Sequence, residues 1–165
     1  MATPTNLPAS FVDGDVLLAS QLNALRGAFR VLQVVAGSTA TQVTNDTNTE
    51  ADTLLTASIT PQSASSKVLV CVEQNGLLKL TSNTSITLNL YRGATLIALI
   101  GAQIGVTGTN DTNGVGGSGI MVLDSPNTTS STTYKTRFLS QANSATVAVQ
   151  HAGASSSIVL LEISA

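Results

Sequence analysis

One histidine, nine carboxylates and seven basic residues carry most of the ionisable chemistry of this 165-residue chain, together with a single cysteine. A hydrolytic triad needs a nucleophile, a histidine and an orienting acid. His151 lies at a Gln-His-Ala-Gly bend, and no spacing in the chain suggests the other two members. Asp46, Glu50 and Asp52 cluster in one polar stretch, yet their spacing does not match a calcium loop. Paired carboxylates can cleave glycosides, but sugar-cutting sites usually carry aromatic platforms. Here there are three Phe, two Tyr and no Trp. There is no P-loop, no G-x-G-x-x-G between a strand and a helix, no H-E-x-x-H and no cysteine pair. Cys71 sits in the most apolar stretch, where a thiol behaves as a small hydrophobe, so stability must come from packing. No catalytic, cofactor-binding or metal residue is expected, and the chain is not expected to be an enzyme.

The remaining charges read as architecture. Glu73, Lys79, Arg137 and Glu162 fall on apolar strands, where a charge is normally paired or at a rim. Glu162 is expected to find a cation among Arg92, Lys135 and Arg137. Charged residues make up 10% of the chain, against about 25% in ordinary domains, and mean hydropathy is +0.29. Ser and Thr supply about a quarter of the residues. Such a neutral surface suits close assembly, because solubility normally leans on charge. A net charge of −2 gives no basic stripe for nucleic acid. Residues 1–8 lack the basic charge and apolar core of a leader. The apolar stretch 96–106 is interrupted by Gly101, Gln103 and Gly105 and is shorter than the ~20 residues a bilayer needs. Neither nucleic acid nor membrane is an expected partner.

The element that must organise these residues is the stretch 65–80. Val68, Val70 and Val72 point to one side of an extended chain, and Leu69 and Cys71, followed by Glu73, point to the other. A strand apolar on both faces is covered on both. It therefore reads as a central strand whose outer face, Leu69, Cys71 and Glu73, is covered by another subunit. Before it, residues 1–10 read as an arm, and residues 19–29 carry the only helical signal. Leu22, Leu25, Phe29 and Leu32 recur at spacings of three, four and three, a narrow seam. That helix either docks on its own sandwich or forms a three-fold helical neck.

From Val31 onward the period is two. Strands are expected over 31–35, 39–44, 54–60, 85–92, 95–100, 120–123, 133–140, 145–150 and 158–163, besides the organising one. Residues 85–92 alternate most cleanly, with Ile86, Leu88 and Leu90 inward. Residues 101–119, crowded with Gly114, Gly116, Gly117 and Gly119, read as a long loop of functional or mobile character. About ten short strands separated by turn signals give a mainly β fold, an antiparallel sandwich or jelly roll with one short N-terminal helix. Residues 1–31 form the arm and helix, and 32–165 the sandwich. The small aliphatic core calls for oligomerisation as a supplement.

Residues 11–23, Phe-Val-Asp-Gly-Asp-Val-Leu-Leu-Ala-Ser-Gln-Leu-Asn, resemble the opening segment of many tailed-phage fibre and appendage proteins. Ile59-Thr-Pro with Ser65-Ser-Lys-Val-Leu-Val, Leu90-Tyr-Arg-Gly, Leu123-Asp-Ser-Pro, Tyr134 and Leu161-Glu-Ile resemble a β-rich domain of phage virion proteins. Leu18 departs from the Thr that often caps the helix in such proteins. The resemblance implies a homotrimeric virion structural protein, assembled in the host cytoplasm. Its expected role is a capsid decoration, cement or head-fibre protein that grips the major capsid protein, or another virion protein, through its arm and helix. The alternative it implies is a tail-fibre tip. There the exposed loop residues Asn110, Asp111, Asn113, Asp124 and Asn127 contact a glycan or protein of the host surface.

Overall fold

The computed structural model describes residues 30–81 and 83–164. Ten strands succeed one another: β1 (Val31–Thr39), β2 (Val43–Asn45), β3 (Ala51–Ile59), β4 (Lys67–Lys79), β5 (Ile86–Arg92), β6 (Thr95–Ile104), β7 (Asn113–Asp124), β8 (Thr132–Ser140), β9 (Val147–Val149) and β10 (Ser156–Ile163). All their pairings are antiparallel. Sheet A runs β1-β10-β4-β9-β2, with β7 along the other edge of β4, and sheet B runs β3-β8-β5-β6.

Period-two alternation places the core between the sheets. Val68, Val70 and Val72 of β4 and Ile158 and Leu160 of β10 meet Leu55, Ala57 and Ile59 of β3, Leu90 of β5 and Tyr134 of β8. A second cluster gathers Leu77, Ile86, Leu88, Phe138, Val147 and Val149. Both clusters draw on both sheets, which makes the fold a sandwich. The organising strand is central, as its two-sided apolar pattern requires. It pairs with β10 and then β9 on one edge and with β7 on the other.

Between the clusters runs a layer of fully buried polar side chains: Thr53, Gln74, Thr136, Gln150 and Ser156. The Thr136 hydroxyl of sheet B donates to Gln74 Oε1 of sheet A at 2.8 Å and lies 2.5 Å from Thr53 Oγ1. Ser156 Oγ accepts from Gln74 Nε2 at 3.0 Å and from the Asn75 N–H at 2.8 Å. Just beyond, β4 bulges at Gly76, whose φ is +63°, and exchanges β10 for β9 as its neighbour. A Cβ at Gly76 would meet the backbone of Gln150 and His151, so only glycine fits the crossing.

Several sequence expectations change. Residues 101–119 are not one long loop: β6 continues to Ile104 and β7 begins at Asn113. Gly117 and Gly119 lie in the ladder because β4 comes too close for side chains. A Cβ at Gly119 would sit 2.6 Å from the Val72 carbonyl and from the Glu73 carboxylate. Leu32 belongs to β1, where it sits at the bulge between Val31 and Gln33, and not to a helix. The arm, the helix and its stripe residues Leu22, Leu25 and Phe29 lie outside the described residues. The strand expected over 39–44 is split, since β1 carries on to Thr39 and β2 occupies Val43–Asn45.

Candidate functional site

The outward side chains of sheet A form registered rows across four strands, because directly paired residues share a face. One row is Val34, Leu161, Leu69 and Leu123. The next is Ala36, Val159, Cys71 and Met121. Eight apolar side chains thus lie side by side on the face that points away from the core. Met121 is 70% exposed, Leu123 59% and Val34 58%. A contiguous apolar surface of this kind marks an interaction site, whereas scattered single hydrophobes do not.

Charge and polarity return only at the two ends of the face. The third row is Ser38, Ser157, Glu73 and Gly119. Gly119 has no side chain, so Cys71, Glu73, Met121, Ser157 and Val159 surround a shallow depression there. At the opposite end Ile163 pairs with Lys67, whose Nζ donates to Ser125 Oγ at 2.7 Å. Among the described residues neither Lys67 nor Glu73 is in an ion pair.

The outer face of sheet B is built differently. Arg137 Nη1 lies 3.3 Å from Glu50, its Nε lies 3.1 Å from Asp52, and Lys135 reaches Asp52 at 3.0 Å. Tyr91 donates to Glu50 at 2.5 Å, and Arg137 stacks 5.4 Å from the Tyr91 ring centroid. The Tyr91 phenol is raised above its ordinary value, first by its hydrogen bond to the Glu50 carboxylate and then by burial. Glu50 and Asp52 are thus committed to Arg137 and Lys135, and Asp46 does not join them around a common point. Among the described residues no group of three His, Cys, Asp or Glu side chains converges.

The other singled-out residues fall as follows. Leu69 and Cys71 are half-buried at the centre of the sheet A face, with Glu73 exposed at its rim. Asn110, Asp111 and Asn127 are exposed, and Asp111 accepts from Thr109 Oγ1 at 2.8 Å. Asn113 opens β7 and donates to the Gly105 carbonyl at 3.2 Å. Asp124 is not an exposed loop residue. It ends β7, with its side chain 11% exposed, and clamps the sheets by accepting from Arg92 Nη1 at 2.6 Å and from the Tyr134 hydroxyl at 2.6 Å. Burial, then that hydrogen bond, pushes the Tyr134 phenol far above its ordinary value. His151 is exposed, its Nδ1 3.0 Å from Gln42 Oε1.

Glu162 is fully buried, but none of its three expected cations reaches it: Arg92 serves Asp124, Lys135 serves Asp52, and Arg137 serves Glu50 and Asp52. Gln33 Nε2 donates to it at 2.6 Å and the Gln62 N–H at 2.8 Å. Burial pushes the Glu162 carboxyl up. The Gln33 amide outweighs this with the Ser66 hydroxyl, which faces the carboxylate without closing a full hydrogen bond, and the Gln62 and Ser63 N–H groups. The net value lies below the ordinary one.

Sequence reasoning found the β4 part of the apolar face and missed the rest. The signal was present: Ile120-Met-Val-Leu and Ile158-Val-Leu-Leu repeat the two-sided apolar pattern of β4.

No protein-family model and no curated protein matches the chain. Among solved structures it is similar to VP2 of infectious bursal disease virus in a subviral particle, at 13% identity and a TM-score of 0.41, over 81% of this chain and 40% of that one. It is similar also to a VP2 mutant of that virus in derived particles, at 14% identity and a TM-score of 0.41, over 97% and 41%. A structure of the Gx strain of the virus follows at 16% identity and a TM-score of 0.31, over 81% and 37%. The chain spans about two fifths of the length of these VP2 chains.

Proposed function

We propose that this chain is a virion structural protein whose work is assembly. Three copies associate with the outer face of sheet A buried between them, and the trimer serves as a capsid decoration or head-fibre protein. The observation that carries the reading is the pair of registered apolar rows on that face. Fully burying one Leu, Val or Met side chain is worth about 1.5–3 kcal/mol, so leaving this many half exposed in water is costly for a chain with so few charges. The resemblance of several short sequence blocks to phage virion proteins supplies the setting. In this reading residues 1–31 hold the major capsid protein or another shell protein, and assembly takes place in the host cytoplasm.

The tail-fibre alternative uses the loops 101–119 and 124–130; of the first only 105–112 lies between strands, and the second is left as 125–131. Light scattering tests the assembly. Wild type is expected at roughly three times 16.8 kDa, and Leu69→Asp with Met121→Asp at the monomer mass with an unchanged far-ultraviolet spectrum. A monomeric wild type refutes the reading. In a reconstruction of the particle the chain is expected on the head shell, and density confined to the tail would overturn the decoration role.

A further inference from the structure

We infer that the surface seated on the protein shell is the end of the sandwich where β1 begins, a neutral platform of loops 60–66, 93–94 and 125–131, and that the opposite end faces solvent. This rests on the decoration reading above and gives it an orientation. The strand pairings define the two ends. Val31 pairs with Ile163, Ile163 with Lys67, and Val68 with Asp124, so β1 and β4 begin where β10 and β7 finish. Asp124 bonds both Arg92 and Tyr134, which places the end of β5 and the start of β8 on the same side. Residues 1–29 join the sandwich here, where the Arg30 N–H donates to Ser164 Oγ at 3.0 Å. A strand of nine residues puts the opposite end about 30 Å away. A chain held to the shell by its first residues meets it with the near end.

The near end is fixed from beneath, and its charges lie under the loops. Glu162 accepts from the Gln62 N–H at 2.8 Å, and Gln33, bonded to the same carboxylate, donates to the Thr60 carbonyl at 2.7 Å. Lys67 Nζ holds loop 125–131 through Ser125 Oγ at 2.7 Å, and Arg92 Nη1 through the Ser125 carbonyl at 3.1 Å. Pro61 and Pro126 stiffen the two loops further. Above these anchors Ser63, Ala64, Ser65, Asn127 and Ser130 are exposed, and the three loops contain no charged residue. A neutral surface ordered before contact loses little freedom on docking and desolvates no charge. The far end is built the other way. Val147 pairs with both Asn45 and Lys79, and Lys79 with Asn113, so loops 46–50 and 105–112 lie together there. They carry the exposed carboxylates Asp46 and Asp111, and charge suits a surface that stays in water. Cyclic symmetry keeps the near end of every copy on one side of the ring.

The full-length chain is given a short epitope after Gly108, after Ala64 or after Thr129, and each protein is sedimented with particles assembled without it. Circular dichroism and light scattering first establish a wild-type spectrum and mass. The Gly108 insert is expected to sediment with the particles and to be reached there by antibody. The Ala64 and Thr129 inserts are expected to stay in the supernatant. Ser65→Glu with Asn127→Glu, which alters no loop length, is expected to be lost from the particles as well and decides the matter if an insert fails to fold. If wild type sediments and the double glutamate variant sediments with it, this inference falls alone. It falls alone also if the Gly108 insert is displaced or its epitope is hidden on the particle. A wild type that does not sediment with the shell overturns the decoration reading with it.

Discussion

Thr136→Val and Gln74→Leu, made singly and together, test whether the buried polar layer joins the two sheets. Valine keeps the shape of Thr136 but removes the hydroxyl that donates at 2.8 Å to Gln74 Oε1. That oxygen is then buried without a donor, which costs about 1–3 kcal/mol. The added methyl returns about 0.8 kcal/mol, leaving a net loss of roughly 0.2–2 kcal/mol. For a chain of this length the midpoint falls by about 2–4 °C per kcal/mol. Gln74→Leu removes the Thr136 hydroxyl's acceptor in sheet A but leaves it Thr53 Oγ1 at 2.5 Å, and Ser156 keeps the Asn75 N–H as a donor. In the double variant both partners are gone and neither is orphaned. Its loss should therefore fall short of the sum of the singles by about 1 kcal/mol or more. Urea unfolding followed by circular dichroism, at one fixed protein concentration, measures all four proteins. If the two losses add within about 0.3–0.5 kcal/mol, the two residues are not coupled and the cross-sheet account is refuted.

Glu162 predicts an acid limb in stability. Its folded value lies below the ordinary one of about 4.3, so just under that value the unfolded chain binds more protons than the folded one. The contribution is complete above about pH 4.3, is lost as pH falls through the folded value, and should flatten in Glu162→Gln when midpoints are followed from pH 7 downward. Gly119→Ala places a Cβ 2.6 Å from the Val72 carbonyl and should cost roughly 1–3 kcal/mol, with faster amide exchange along β7. Gly108→Ala, where a Cβ meets nothing within 4 Å, should stay within about 0.5 kcal/mol of wild type.

Much of the sandwich was legible because side-chain alternation is a local property. Ile86, Leu88 and Leu90 announce their inward side in the sequence, and the structure buries all three completely. The apolar valines of β4 identify a central strand for the same reason. The glycines of β7 misled the reading, since glycine signals a loop locally but here answers to a neighbouring backbone far away in sequence. Pairing between strands is non-local, so the alignment of Val34 with Leu161 and Leu123 appears in no window of the chain. The partners of Glu162 escaped for a related reason. An apolar strand with one carboxylate invites a cation, yet amide donors from Gln33 and from the turn at Gln62 satisfy it once the chain has folded.

The position of β10 between β1 and β4 has a consequence for how the molecule comes into being. During vectorial synthesis the first described strand emerges long before its hydrogen-bonding neighbour, since Val35 pairs with Leu160. Until residues 156–163 leave the ribosome, β1 has no place beside β4 and the larger sheet stays open. Completion of the larger sheet thus waits for β10 and is slowed by pairings of large sequence separation. A nascent chain in that interval displays unmatched strand edges, and its fate then depends on crowding and chaperones as much as on its own stability.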